Sequence, residues 1–230
     1  MNKIAKTLRL PRYDEHNLFL GSTGSGKTYL AETILERIPN AFIIDPQDCI
    51  SVEAKKIKTP RNLFLYLNLF KKIRYVPQLK YLEKDIWNYI LEIIWKSSNI
   101  NKKKPKLVYI DELYLLGYGQ NFPSMLPKCM STCRQRQIGF NIATQRPRMI
   151  PKATITETTR IFCFALTYDE DIDYISTFVR RSYREEFINE MDKIRDACEK
   201  PNDPYFKSFI VINTKSGTFE PYRKITRRKT

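Results

Sequence analysis

Eight consecutive residues, Gly21-Ser22-Thr23-Gly24-Ser25-Gly26-Lys27-Thr28, fit the spacing G-x-x-x-x-G-K-[ST] without a mismatch. Three of the chain's seven glycines fall in the first six of them. Glycine lets a backbone curl closely around an anion, so that successive amide N–H groups point at phosphate oxygens. In such a loop a lysine, here Lys27, reaches the β- and γ-phosphates of a nucleotide, and the Thr28 hydroxyl ligates magnesium. Gly21 through Thr28 are therefore the expected nucleotide-binding residues, with ATP and Mg2+ as the expected ligands.

A second constellation stands downstream. Lys106-Leu107-Val108-Tyr109-Ile110 reads as an apolar strand, and it runs into Asp111-Glu112. A carboxylate at a strand tip can hold the magnesium opposite Thr28, which makes Asp111 the second metal ligand. Side chains alternate along a strand, so Glu112 is expected to face the γ-phosphate and polarise an attacking water. Nucleotide kinases and switch GTPases usually lack the paired glutamate. Its presence favours a hydrolysing motor.

These residues need elements to hold them. An apolar strand, Asn17–Leu20, precedes the phosphate loop, and a helical stretch, Lys27–Arg37, follows it. Further strands are expected at 41–44, 74–76, 107–110, 140–144, 161–166 and 209–212. Helices are expected at 81–96, 124–136, 169–178 and 184–198. In the first of these helices Ile86, Ile90, Ile93 and Ile94 recur at helical spacing and read as core. Strand alternating with helix predicts an α/β fold with a mainly parallel sheet. Residues 1–222 read as one domain, followed by a basic tail over 223–230 that is expected to be mobile.

Composition narrows the partners. The formal net charge is +15, on a chain with ordinary apolar (42%) and charged (28%) fractions. Such an excess points to a polyanion, nucleic acid before an acidic membrane surface. No run of about eighteen apolar residues exists to span a bilayer. The amino terminus lacks an apolar signal core, so a cytoplasmic location is expected. The five cysteines form no CxxC pairs; Cys129 and Cys133 read as reduced core residues.

The stretch from Cys133 to Pro147 contains Arg134-Gln135-Arg136, then Gly139, and closes with Ala143-Thr144-Gln145-Arg146-Pro147. It resembles the FtsK–HerA superfamily of DNA-pumping ATPases, as do Ile44-Asp45-Pro46 and Thr158-Thr159-Arg160-Ile161. The resemblance spans roughly residues 15 to 180. It implies a RecA-like P-loop NTPase core whose sensor strand lies between the strand of the phosphate loop and that of Asp111-Glu112. Gln145 is then the expected sensor at the γ-phosphate. The superfamily works as rings with ATP at subunit interfaces and an arginine supplied in trans. Arg160 is the preferred candidate, Arg136 the second, and Arg134 and Arg146 rank behind. Few residues precede the phosphate loop, which is similar to the bare genome-packaging ATPases of membrane-containing icosahedral viruses. The implied partners are double-stranded DNA, further copies in a hexamer or pentamer, and a capsid or membrane-vertex protein. The implied location is the host cytoplasm or the virion.

A translocase grips phosphates more than bases. Expected contacts are the loop 116–123, the cluster Lys102–Lys106 and the tail. Two other readings stand: a conjugative or plasmid DNA pump, and a non-translocating assembly ATPase.

Overall fold

The computed structural model describes residues 8–78, 81, 83–100, 105–117 and 122–223. Its strands are β1 (Asn17–Leu20), β2 (Ala41–Ile44), β3 (Lys55–Ile57), β4 (Lys72–Tyr75), β5 (Lys106–Ile110), β6 (Ile138–Thr144), β7 (Arg160–Cys163), β8 (Phe209–Asn213) and β9 (Thr218–Tyr222). Its helices are α1 (Lys27–Arg37), α2 (Leu63–Leu69), α3 (Lys84–Ile100), α4 (Met125–Thr132), α5 (Lys152–Thr156), α6 (Asp169–Ser176) and α7 (Arg184–Asp196). No helix among the described residues is long and apolar enough to cross a membrane.

The strands form one sheet in the order β3-β4-β2-β5-β6-β1-β7-β8-β9. Pairing is parallel from β3 through β7, and β8 and β9 add antiparallel. This is the RecA-like arrangement of a P-loop NTPase. β6, the strand that leads to Gln145, lies between β1 and β5, the position that the resemblance implied.

Strands β1, β2, β5 and β6 are mostly apolar and buried along their whole length, because helices cover both faces of a parallel sheet. Alternation divides each run between two cores. Phe19, Ile43 and Tyr109 pack against α1 on one face. Leu18, Phe42 and Val108 face the larger core built by α2, α3, α4, α6 and α7. Ile90, Ile93 and Ile94 are buried there, and Cys129 and Cys133 are too.

At the edge where the parallel strands begin, His16 joins three elements. The Phe140 N–H donates to its Nδ1 at 3.0 Å, leaving Nε2 to donate to the Met130 carbonyl at 2.9 Å.

Several elements differ from expectation for local reasons. The expected helix 124–136 breaks into α4 and a 3-10 turn, Arg134–Arg136, ended by Gln137 at φ 58. β3 occupies a basic cluster that reads as loop. Lysines on an edge strand discourage further pairing. β9 contains Pro221, tolerable because it too is an edge strand. α2 is apolar but for Asn68 and so has no helical period to read.

Candidate nucleotide-binding site

The phosphate loop leaves β1 at the edge where the parallel strands end. Ser22 N–H donates to the Ala165 carbonyl at 2.7 Å, and Gly21 N–H to Thr144 at 3.4 Å, so the ends of β7 and β6 clamp the loop from both sides. A Cβ on Gly21 would come within 2.7 Å of the Phe164 Cβ, so nothing larger fits there. Gly26 opens α1 at φ 111, a left-handed conformation that suits glycine.

Lys27 is 6% exposed. Its ammonium donates to the carbonyls of Gly21 at 2.6 Å and Ser22 at 3.0 Å, and stands 3.9 Å from Glu112 Oε1. Burial pulls its pKa below the usual lysine range, and Glu112 and then Asp111 oppose that pull. Thr28 follows in the first turn of α1, half-buried.

Asp111 and Glu112 diverge, though not by strand alternation as expected. β5 stops at Ile110, and Glu112 takes a left-handed conformation at φ 53. That backbone costs a non-glycine residue on the order of 1 kcal/mol or more. It turns the carboxylate toward the loop. Glu112 Oε1 accepts from Gln145 Nε2 at 2.9 Å, and Gln145 Oε1 accepts from Thr23 at 3.2 Å. Glu112 Oε2 is buried with no hydrogen-bond partner among the described residues, and so is Ser25 Oγ. Burial raises the Glu112 pKa, against the opposing effects of Gln145 and Lys27.

Asp111 is held differently. Tyr109, on β5 two residues back, donates to its Oδ1 at 3.0 Å, and the Cys49 thiol to its Oδ2 at 3.2 Å. Burial raises its pKa while these two donors oppose the rise. The Cys49 thiol is itself pushed well above its ordinary range, first by burial and then by Asp111. Asp45, at the tip of β2, accepts from the Cys49 and Ile50 amides at 3.0 Å each, which folds this segment against Asp111.

The structure thus brings together the loop, Asp111, Glu112 and Gln145, but not Arg136 or Arg160. Parallel register sets Arg160 beside Asn17 at the start of β1, the sheet edge away from the loop. Arg160 is 7% exposed. It donates to the Arg9 carbonyl at 2.8 Å and Asn17 Oδ1 at 3.2 Å, and pairs with Glu15 at 3.4 Å. Arg136 lies at the same edge, its guanidinium 3.7 Å from the Trp95 ring centroid and half-exposed. Arg134 pairs with Glu157 at 2.6 Å. Arg146 adjoins Gln145 and stacks on Tyr168 at 3.7 Å. Much of the expected DNA contact surface, residues 102–104, 118–121 and 224–230, lies outside the described residues.

The family model described as Poxvirus A32 protein matches residues 8–213. The chain belongs to the Poxvirus A32 protein family. No curated protein sequence matches it. Among solved structures, the fold is similar to the genome packaging NTPase B204 of Sulfolobus turreted icosahedral virus 2 in complex with AMPPCP. The TM-score is 0.70 at 14% identity, covering 94% of this chain and 100% of that one. VirB4 of Thermoanaerobacter pseudethanolicus superposes with a TM-score of 0.58 at 10% identity, covering 92% of this chain and 89% of that one. At such identities the likeness speaks for the fold. Together with the family match it bears out the resemblance to FtsK–HerA viral packaging ATPases.

In this A32-family chain the site fits a magnesium ion. The donors expected from the sequence, the Thr28 hydroxyl and the Asp111 carboxylate, are hard oxygens of the kind Mg2+ prefers. The buried Glu112 Oε2 has no hydrogen-bond partner among the described residues. Tyr109 and Cys49 are the two contacts of Asp111 that sequence reasoning missed. Tyr109 was accessible from its i, i+2 spacing to Asp111. Cys49, 62 residues from Asp111, carried no local signal.

Proposed function

We propose that this chain is an ATP-driven motor that moves double-stranded DNA into a viral shell, working as a ring with nucleotide at the subunit interfaces. One observation carries the reading: Gln145 bridges the phosphate loop, through Thr23, to the carboxylate of Glu112. A side chain so placed couples occupancy of the loop to the base. Family membership supports the viral setting, and a +15 chain suits a DNA partner.

Residues Gly21 to Thr28 wrap the phosphates, and Lys27 exchanges its loop carbonyls for β- and γ-phosphate oxygens. Thr28 and Asp111 would hold magnesium, which when bound neutralises charge on those oxygens. Glu112, its pKa raised by burial, accepts a proton from the attacking water. The water oxygen bonds to the γ-phosphorus as the bridging bond breaks, and ADP departs with the bonding electrons. Gln145 orients the water and the base, since an amide can donate and accept at once. A neighbouring subunit supplies a cation to the developing charge. Arg136, stacked on Trp95 and donating to its carbonyl at 3.4 Å, is half-buried and keeps part of its surface for a contact in trans. Arg160 is engaged inside its own subunit, which weighs against the preference drawn from sequence.

The test is ATP turnover with and without duplex DNA, alongside particle mass. Hydrolysis stimulated by any duplex, by a ring-sized particle, is expected. DNA-independent hydrolysis by a monomer would favour an assembly ATPase instead.

A further inference from the structure

The β3–β4 end of the sheet carries a surface that the ATPase reading does not use. Helix α2 turns Leu63 and Leu67 into the core. Its outward side and end present Phe64, Leu65, Leu69 and Phe70, exposed by 37%, 53%, 64% and 39%. Asn68 alone interrupts that apolar face, and its amide turns back on the Phe64 carbonyl at 2.8 Å. Exposed apolar side chains clustered in this way mark a docking surface.

The surroundings say what kind. Lys55, Lys56, Lys58, Arg61, Lys71 and Lys72 frame the helix, and no acidic residue occurs from 54 to 72. All but Lys72 are exposed. Asp48 reaches into this rim, where it pairs with Lys56 and Arg74 and leaves the balance strongly positive. Lys55 lies 5.7 Å from the Phe70 ring centroid, so cation and apolar face form one continuous patch.

We propose that this end of the molecule docks on an anionic lipid bilayer, with α2 lying in the interface plane. The leucine and phenylalanine side chains enter the boundary between headgroups and acyl chains, and the ammonium and guanidinium groups meet lipid phosphates. Duplex DNA offers phosphates, but its backbone gives Leu65 and Leu69 no apolar partner. A second copy meeting this face with its own would set two cationic rims against each other. Two turns of helix bury little area, so the attachment is reversible and depends on charge. The inference is independent of the nucleotide site.

The test is sedimentation of the full-length protein with phosphatidylcholine vesicles, with and without phosphatidylserine. Binding is expected only with the anionic lipid. It should fall about tenfold or more in Lys55→Glu/Lys58→Glu, and comparably in Leu65→Ser/Leu69→Ser. These side chains are exposed, and unchanged melting temperature and ATP affinity would verify that both variants fold. Equal binding to neutral and anionic vesicles, or variants that bind like the parent, would overturn the proposal. So would loss of duplex binding in the lysine variant with vesicle binding intact, which assigns the cations to DNA. A fall in particle mass without lipid, vesicle binding being unaltered, would make the face a subunit contact and equally refute it.

Discussion

Gln145 holds Glu112 at 2.9 Å by its amide nitrogen and Thr23 at 3.2 Å by its carbonyl oxygen. Removing both ends at once, in Gln145→Ala, leaves the loop and the base intact but unconnected. Turnover is expected to fall about a hundredfold, the scale of losing one positioned polar group at a reacting centre. Nucleotide affinity should change by no more than a few-fold. Single-turnover hydrolysis beside equilibrium binding of a fluorescent ATP analogue separates the two. Equal loss in both would make Gln145 a binding residue.

Glu112→Gln keeps the shape of the side chain and removes its ability to take a proton. Turnover should drop by about 10²–10⁴ while ATP still binds. Lys27→Ala should instead lose affinity, since it withdraws the cation nearest the phosphates. Parent-like turnover in Glu112→Gln would end its assignment as the base.

The two arginines should separate by assay. Arg160→Ala leaves Glu15 to Arg9, 2.6 Å away, but strips the Asn17 side-chain oxygen and the Arg9 carbonyl of a buried donor, an expected cost of about 1–3 kcal/mol, visible as a lowered melting temperature. Arg136→Ala should melt near the parent and lose turnover. Mixing Arg136→Ala with Lys27→Ala subunits should then restore activity, at interfaces that unite an intact loop with an intact arginine. No recovery from rings proven to be mixed would place Arg136 within its own subunit's structure.

His16 makes stability depend on pH. Burial lowers its pKa from 6.5 to about 4 in the folded chain. The folded state therefore binds the proton less readily than the unfolded one. The stability that neutral His16 supports is complete above pH 6.5 and is lost as pH falls toward 4. The loss is up to about 3 kcal/mol, from 1.36 kcal/mol per pKa unit. It is the chain's single histidine, so its ring-proton NMR signal can be followed without ambiguity. A midpoint near 6.5 in the native protein would refute this.

What the sequence made legible follows from distance along the chain. A glycine-rich loop and a strand-end carboxylate pair are local, and their spacing alone marked Gly21 to Thr28, Asp111 and Glu112 as candidates. Gln145 stands 33 residues beyond Glu112, so only a known pattern could join them. Glu112 faces the loop as expected, but through a left-handed turn and not through strand alternation, and that turn contains no glycine to announce it. Arg160 carried a topological clue: in a parallel sheet the residue before a strand lies at the edge opposite the one after it. Cys49, β3 and β9 depend on tertiary pairing and left no local trace.

Gly139 gives the fingerprint of residues 139–147 a second meaning. A Cβ there would lie 2.6 Å from the Glu15 carbonyl and 2.7 Å from that of Arg12, because the segment before β1 crosses directly over it. Five positions on, the same strand ends in Thr144 and delivers Gln145 to the phosphate loop. The pattern therefore records two unrelated constraints, a steric one at its first residue and a chemical one at its end, joined by a rigid strut. Exchanging Gly139 for alanine would lever the crossing segment, and with it the Glu15–Arg160 pair, off the base of the sheet. A lineage could abandon catalysis and still be obliged to keep that glycine.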